Sequence, residues 1–205
     1  MQYIEPENPD EYLKLISTKS SLSKDYSPTD LTDVIFTRKD GRPTQRLRKS
    51  AAMALEAMLK EAASEGYDDI SVTSAFRDFD YQQQLYDNEV NSFRAKYGDK
   101  AEEQAAKNVA IPGTSEHQSG LCADMHNLPS ASESFSETDA YKWLYANCAK
   151  FGFILRFPNG KEDITGIVYE PWHYRFVGRY HAQKIMSSGL CLEEYVAQNS
   201  GKTTE

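Results

Sequence analysis

Pro112-Gly113-Thr114-Ser115-Glu116-His117-Gln118-Ser119-Gly120 leads directly into Leu121-Cys122-Ala123-Asp124-Met125. The first nine residues are rich in turn formers and read as a loop, and the five that follow read as a short buried strand. Working outward, Ile70-Ser71-Val72-Thr73-Ser74 alternates like a second strand. Residues 152–157 and 164–169 are two more strand candidates, joined by the Pro158-Asn159-Gly160 turn. Helices surround them. Over residues 43–65, Leu47, Ala51, Leu55, Met58 and Ala62 recur at three- and four-residue steps, and Gly66 stands where a C-terminal cap belongs. Residues 80–97 read as a helix with Tyr81, Leu85, Tyr86 and Val90 on its buried side, and residues 101–109 as a shorter one. A capping box at 136–139 opens a helix carrying Tyr141, Leu144, Tyr145 and Cys148, and residues 178–187 form a last one. Near the start, Asn8-Pro9-Asp10-Glu11 resembles a cap and first turn, and the polar run 17–28 reads as an arm or loop. The strands are few and unevenly spaced, and helices do not alternate strictly with them. The expected architecture is therefore α+β: a small, mostly antiparallel sheet flanked by helices.

At 205 residues the chain has the length of a single domain, and 2 Trp, 13 Tyr and 9 Phe supply a core and argue against disorder. A net charge of −8 with no broad basic face argues against nucleic acid as a partner. No apolar run approaches the ~20 residues of a membrane span. The N-terminus lacks the basic start and apolar core of a signal peptide, so either the protein stays where it is made or a leader has been removed. Cys122, Cys148 and Cys191 are odd in number and widely spaced, with no C-x-x-C pair, and read as small part-buried thiols rather than a framework.

Two of the four histidines keep unusual company. His117 and Asp124 lie seven apart, with Gly120 between them to let the backbone turn, so the loop can hold the imidazole beside the carboxylate. Both are ordinary zinc ligands, but H-x(6)-D spacing alone is equally a loop pairing. In Tyr169-Glu170-Pro171-Trp172-His173-Tyr174-Arg175, Glu170 and His173 come together only on a turn or bulge, and Pro171 makes an irregular backbone expected. A metal-bound histidine with a free carboxylate nearby is what hydrolytic zinc chemistry needs; a surface glutamate beside a packed Trp–His pair is the alternative. In Ser74-Ala75-Phe76-Arg77-Asp78-Phe79-Asp80-Tyr81-Gln82, Arg77 sits where a strand runs into a helix. It could donate to a carbonyl or carboxylate, or simply pair with Asp78 or Asp80.

Taken together, S-x-x-R-x(4)-Q-x-x-L-Y, S-x-H-x(6)-D and E-x-W-H-x-R, in this order, resemble the VanY-type D-alanyl-D-alanine carboxypeptidases, a group that includes VanX dipeptidases, LdcB-type L,D-carboxypeptidases and the hedgehog-like fold. The resemblance covers residues 43–187. It implies His117, Asp124 and His173 as zinc ligands, Glu170 as catalytic base, Arg77 beside the scissile carbonyl, and Ser115 and Gln82 at the C-terminal end of the peptide. By the same resemblance Trp172 and Arg175 orient His173 or wall the site, and His126, which shares a strand face with Asp124, is the weaker alternative to His173. His181 reads as a surface or packing histidine. Cys122 departs from the family's G-x-A-x-D, where alanine is usual. It reads as a packing residue, with a ligand or redox role as the alternative, because Cys122 and Asp124 point the same way on a strand.

The resemblance further implies a Zn2+ enzyme that removes the terminal D-alanine of peptidoglycan stem peptides. The readings that stay open beside it are L,D-carboxypeptidase action on tetrapeptides, cross-link endopeptidase action, and a non-catalytic zinc domain that binds wall peptides or a partner. Residues 41–198 would be the enzymatic domain, 1–40 an N-terminal arm with a short helix, and 199–205 a tail. An envelope or secreted location with the leader missing follows from such a substrate, and a phage lysis enzyme made without a leader is the competitor. Oligomeric state is not legible.

Overall fold

The computed structural model describes residues 12–199; the helix expected at residues 8–11 lies outside them. Four strands form one antiparallel sheet in the order β3-β4-β6-β5: β3 (Ser71–Ser74), β4 (Cys122–His126), β5 (Phe153–Leu155) and β6 (His173–Phe176). A two-stranded antiparallel ribbon, β1 (Leu31–Asp33) with β2 (Arg46–Arg48), lies at the entry to helix α1 (Lys49–Ser64). Helices α2 (Phe79–Tyr97), α3 (Ala101–Asn108), α4 (Asp139–Asn147), α5 (Glu162–Thr165), α6 (Arg179–Ser188) and α7 (Leu192–Asn199) complete the described chain. This is the expected α+β architecture. Among the described residues no helix is long and apolar enough to cross a membrane.

The α1 stripe behaves as its spacing demands, with Leu47, Ala51, Leu55, Met58 and Ala62 all fully buried. The helix ends in a Schellman motif: Tyr67 N donates to the Ala62 carbonyl (3.0 Å) and Gly66 N to that of Ala63 (3.2 Å), with Gly66 at φ +93°. One face of the sheet carries Val72, Ala123, Met125, Phe153, Leu155, Tyr174 and Phe176 into a core shared with α1 and with Trp143 and Leu144 of α4. The other face is divided. Ile154 packs with Val177, Ile185, Leu192 and Tyr195 of the α6–α7 side, whereas Cys122, Asp124, His173 and Arg175 project polar groups from the two central strands, β4 and β6.

The helix near 178–187 is not the last, since α7 follows it, and three further local expectations are corrected. Residues 164–169 form no strand: α5 ends at Gly166 (φ +75°), and Ile164 is 47% exposed. The position beside β5 is taken instead by residues 173–176, which supply the ladder bonds that 164–169 cannot reach. The helix beginning at 139 is capped by Thr138, whose Oγ1 accepts from Tyr141 N (3.1 Å), because Ser136 is already engaged, donating to the Glu133 carbonyl (2.7 Å) within the preceding 3-10 turn. In α2, capped by Asp78 Oδ1 on Tyr81 N (2.8 Å), Tyr81 is 51% exposed while Gln82 is 1% exposed. The cap sets the helical phase, and it turns the amide inward in place of the ring.

Gly152 tests the packing of this sheet against α6. It adopts φ +85°, and a Cβ there would stand 2.8 Å from the Phe176 ring and 3.0 Å from the Gly178 backbone carbon. A left-handed non-glycine residue costs about 1–2 kcal/mol, and the backbone contact adds to that. Gly152→Ala is expected to lose at least about 2 kcal/mol, read as a lower urea midpoint at unchanged slope.

Candidate functional site

The polar patch on β4 and β6 is built by register. Asp124 stands directly opposite His173, and directly opposed residues on antiparallel strands share a face. His117 is brought in from a 3-10 turn (Glu116–Ser119) that Ser115 opens, its Oγ accepting from His117 N (3.4 Å). Gly120 ends that turn at φ +67°, where a Cβ would meet Leu31 at 2.9 Å, so the reversal that returns the chain to β4 needs glycine. The N-terminal arm clamps the loop from outside. Leu22 N donates to the Gly113 carbonyl (2.7 Å), and Gln118 Nε2 donates to the carbonyls of Ser23 (2.9 Å) and Tyr26 (3.1 Å).

The turn containing Pro171 does what its irregularity suggested. His173 N donates to the Glu170 carbonyl (3.2 Å), which closes residues 170–173, and Glu170 N donates to the Phe157 carbonyl (3.1 Å), which pins the turn to the end of β5. Glu170 and His173 therefore face the same point.

At that point the donor atoms converge. Asp124 Oδ1 lies 3.1 Å from His173 Nδ1 and 3.5 Å from His117 Nε2, and Glu170 Oε2 lies 3.4 Å from His173 Nδ1. Donors held about 2.0–2.1 Å from a tetrahedral ion sit roughly 3.3–3.4 Å apart, so this is the spacing of a metal cradle. His117 Nδ1 donates to the Ala75 carbonyl (2.6 Å), which leaves Nε2 as the nitrogen available to an ion. Asp124 Oδ1 is buried and has no hydrogen-bond partner, as expected of a carboxylate oxygen shaped for a cation. The residues present fit a divalent ion.

The electrostatics agree. Burial alone would raise the Asp124 carboxyl, but His117 and His173 hold it well below the usual range. Burial would lower His173, yet Cys122, Asp124 and Glu116 raise it well above its usual value. Coordination must displace protons from such imidazoles, so metal affinity falls as pH falls. Burial lifts the Glu170 carboxyl to about 7 against the pull of His173, which is the range of a group that both accepts and returns a proton near neutrality.

A cavity of about 680 Å3 opens over these groups. Arg77, Ser115, Phe157 and Trp172 line it along with His117, Asp124, Glu170 and His173, and Ile16, Ser17 and Thr18 of the arm contribute to the wall. Arg77 Nη1 donates to Ser74 Oγ (3.3 Å), while its buried Nε has no partner. Gln82 is not among the lining residues. Its Nε2 donates to the Ala110 carbonyl (2.7 Å), which belongs to the wall, and its buried Oε1 has no partner. His126 is held away from the cluster, beside Arg38 (3.2 Å) and the Phe135 ring, and His181 Nδ1 bonds the Tyr195 hydroxyl (2.9 Å). Arg175 is fully buried and serves as a structural ion-pair partner. Cys122 is packed and fully buried, but it lies against the cluster: its Sγ and ring nitrogens of His117 and His173 are all within 4.8 Å of one another. Burial would raise this thiol, and the two histidines instead bring it to about 7.

Sequence reasoning missed the layer behind the centre. Glu116 Oε1 pairs with Arg156 Nε (2.8 Å) and Arg175 Nη1 (2.8 Å), and its Oε2 faces His173 Nε2 at 3.9 Å. Arg156 reaches on to Glu193 of α7 through two bonds of 2.9 and 2.6 Å. The one available signal was a glutamate inside S-x-H; its partner Arg156 lies 40 residues along the chain.

An antiparallel α+β domain holding two imidazoles, a carboxylate and a free glutamate under a peptide-sized cavity defines a metallopeptidase. Residues 44–179 match the family model VanY, D-alanyl-D-alanine carboxypeptidase. Over 127 residues the chain is 45% identical to a D-alanyl-D-alanine carboxypeptidase of Enterococcus faecalis (strain ATCC 700802 / V583), an alignment that takes in 61% of this chain and 46% of that protein. It thus spans less than half the length of that relative. Among solved structures, the LD-carboxypeptidase LdcB, described for its recognition of peptidoglycan, superposes with a TM-score of 0.82 at 39% identity, covering 93% of this chain and 88% of that one. A vancomycin-resistance D,D-pentapeptidase VanY in complex with Zn(II) gives 0.75 at 35% identity, covering 90% and 98%. The chain belongs to the VanY D-alanyl-D-alanine carboxypeptidase family.

Proposed function

We propose that this protein is a zinc carboxypeptidase that removes the terminal D-alanine from peptidoglycan stem peptides. The observation that carries the reading is the 3.1–3.5 Å convergence of His117 Nε2, Asp124 Oδ1, His173 Nδ1 and Glu170 Oε2. His117, Asp124 and His173 hold the ion. Bound there, zinc supplies Lewis acidity, polarising the last peptide carbonyl and acidifying water. Glu170 takes the proton from the attacking water and returns it to the leaving amine. Arg77 donates to the carbonyl oxygen as negative charge develops on it. Ser115 receives the substrate carboxylate at the cavity wall, and Gln82 supports that end through the 110 carbonyl. Such a substrate lies outside the cytoplasmic membrane, so the enzyme works at the cell envelope or beyond it.

The likeness to LdcB favours a second reading, L,D-cleavage of tetrapeptides. A panel of tri-, tetra- and pentapeptides ending in D- or L-alanine separates the two. Release of D-alanine from the D-Ala-D-Ala pentapeptide supports the first reading, and release from the tetrapeptide alone supports the second. Under either, chelation abolishes turnover and stoichiometric zinc restores it. Full activity in excess chelator would exclude both.

A further inference from the structure

Cys122 lies against the two imidazoles of the centre. It is two residues before Asp124 on β4, so both side chains leave the same face of the sheet. Its Sγ and ring nitrogens of His117 and His173 lie within 4.8 Å of one another, and the residue is fully buried. Asp124, 9% exposed, faces the same two imidazoles: its buried Oδ1 has no hydrogen-bond partner although His173 Nδ1 and His117 Nε2 are 3.1 and 3.5 Å away. Nitrogen and sulfur donors of one tetrahedral ion sit roughly 3.5 Å apart, so a contraction of at most about 1.3 Å brings the sulfur into bonding range. The other two thiols have no such surroundings: the Cys148 thiol donates to the Tyr145 carbonyl (3.7 Å), and the Cys191 backbone N–H donates to Glu194.

We infer that Cys122 is a metal ligand of this centre, so that the two histidines, Asp124 and the thiolate together hold thiophilic divalent ions such as cobalt, zinc and cadmium. This rests on the metal-centre reading above and deepens it. On binding, the sulfur lone pair forms the bond to the ion and the thiol proton passes to solvent. A soft donor within an otherwise hard N and O set shifts selectivity toward softer ions.

The test is titration of the full chain and of Cys122→Ser with cobalt(II), followed by absorption. Serine is close to cysteine in size and keeps the packing. Visible ligand-field bands report an occupied centre, and a thiolate-to-cobalt charge-transfer band in the near ultraviolet reports sulfur in the coordination sphere. Both signals are expected in the wild type and only the ligand-field bands in Cys122→Ser. Cadmium(II) affinity, measured by competition, should fall at least about tenfold in the variant. Stoichiometric cobalt binding by the wild type without the charge-transfer band overturns the inference but leaves the centre intact. Persistence of that band in Cys122→Ser overturns it equally. Failure of both proteins to take up cobalt overturns this inference and the metal centre together.

Discussion

Glu170→Gln is expected to release D-alanine roughly 10²–10⁴-fold more slowly than the wild type while still binding one divalent ion. The substitution conserves shape. What it removes is the ability to accept a proton, and the donors of the cradle at 117, 124 and 173 stay in place. Burial raises this carboxyl to about 7, and the charge of a bound cation draws it lower, so the acid limb of kcat/KM should lie below about pH 7. Activity rises with pH through that limb, because the base must be ionised to work, and the limb should be missing from the residual activity of the variant. The same shift has a stability counterpart. A carboxyl raised from 4.5 to about 7 on folding favours the native state at low pH and loses that contribution as pH rises between those values. In chelator above pH 7, Glu170→Gln should therefore be at least as heat-stable as the wild type. Undiminished turnover, or loss of metal together with activity, would remove Glu170 from the role of base.

Glu116→Gln is expected to cost roughly 3–5 kcal/mol at neutral pH, the scale for removing one member of a buried charge network. Arg156 and Arg175 are essentially inaccessible to solvent and both lean on this carboxylate. Arg156 keeps Glu193, while Arg175 is left with the carbonyls of Tyr12, Lys14 and Phe176 (2.9, 3.1 and 3.2 Å). Burial alone would raise Glu116, but the two arginines hold it well below 4.5. Its contribution is thus fully present above the ordinary carboxylate pKa and fades as pH falls through the lowered one. Urea unfolding at pH 7 and again in acid checks this, since the gap between variant and wild type should narrow in acid. Because Glu116 Oε2 stands behind His173 Nε2, metal affinity should also weaken by about 10–100-fold. Equal stability at pH 7 would mean that the arginines do not depend on it.

The comparison between sequence and structure is uneven for physical reasons. The α1 stripe and its glycine stop were legible because helical packing and capping are decided within a few residues. His117, Asp124, Glu170 and His173 were legible through ordered motifs, and they meet in space. The last strand was misplaced: residues 164–169 have strand-forming side chains, but a strand exists only where a neighbour offers a ladder, and β4 and β5 offer theirs to 173–176. Tyr81 and Gln82 exchanged roles for a similar reason, since a polar residue goes inside when a carbonyl such as that of Ala110 awaits it there.

The order of residues by itself determined the α+β class, the helical stripe, the turn at Pro171 and the chemical identity of the donors. These depend on backbone preferences and residue types that act over short stretches of chain. Only the tertiary structure decided that Cys122 lies against the two histidines, that Glu116 anchors two buried arginines, and that the N-terminal arm clamps the loop carrying His117. Those facts depend on which distant segments pack together, and burial then sets the strength of every charge among them.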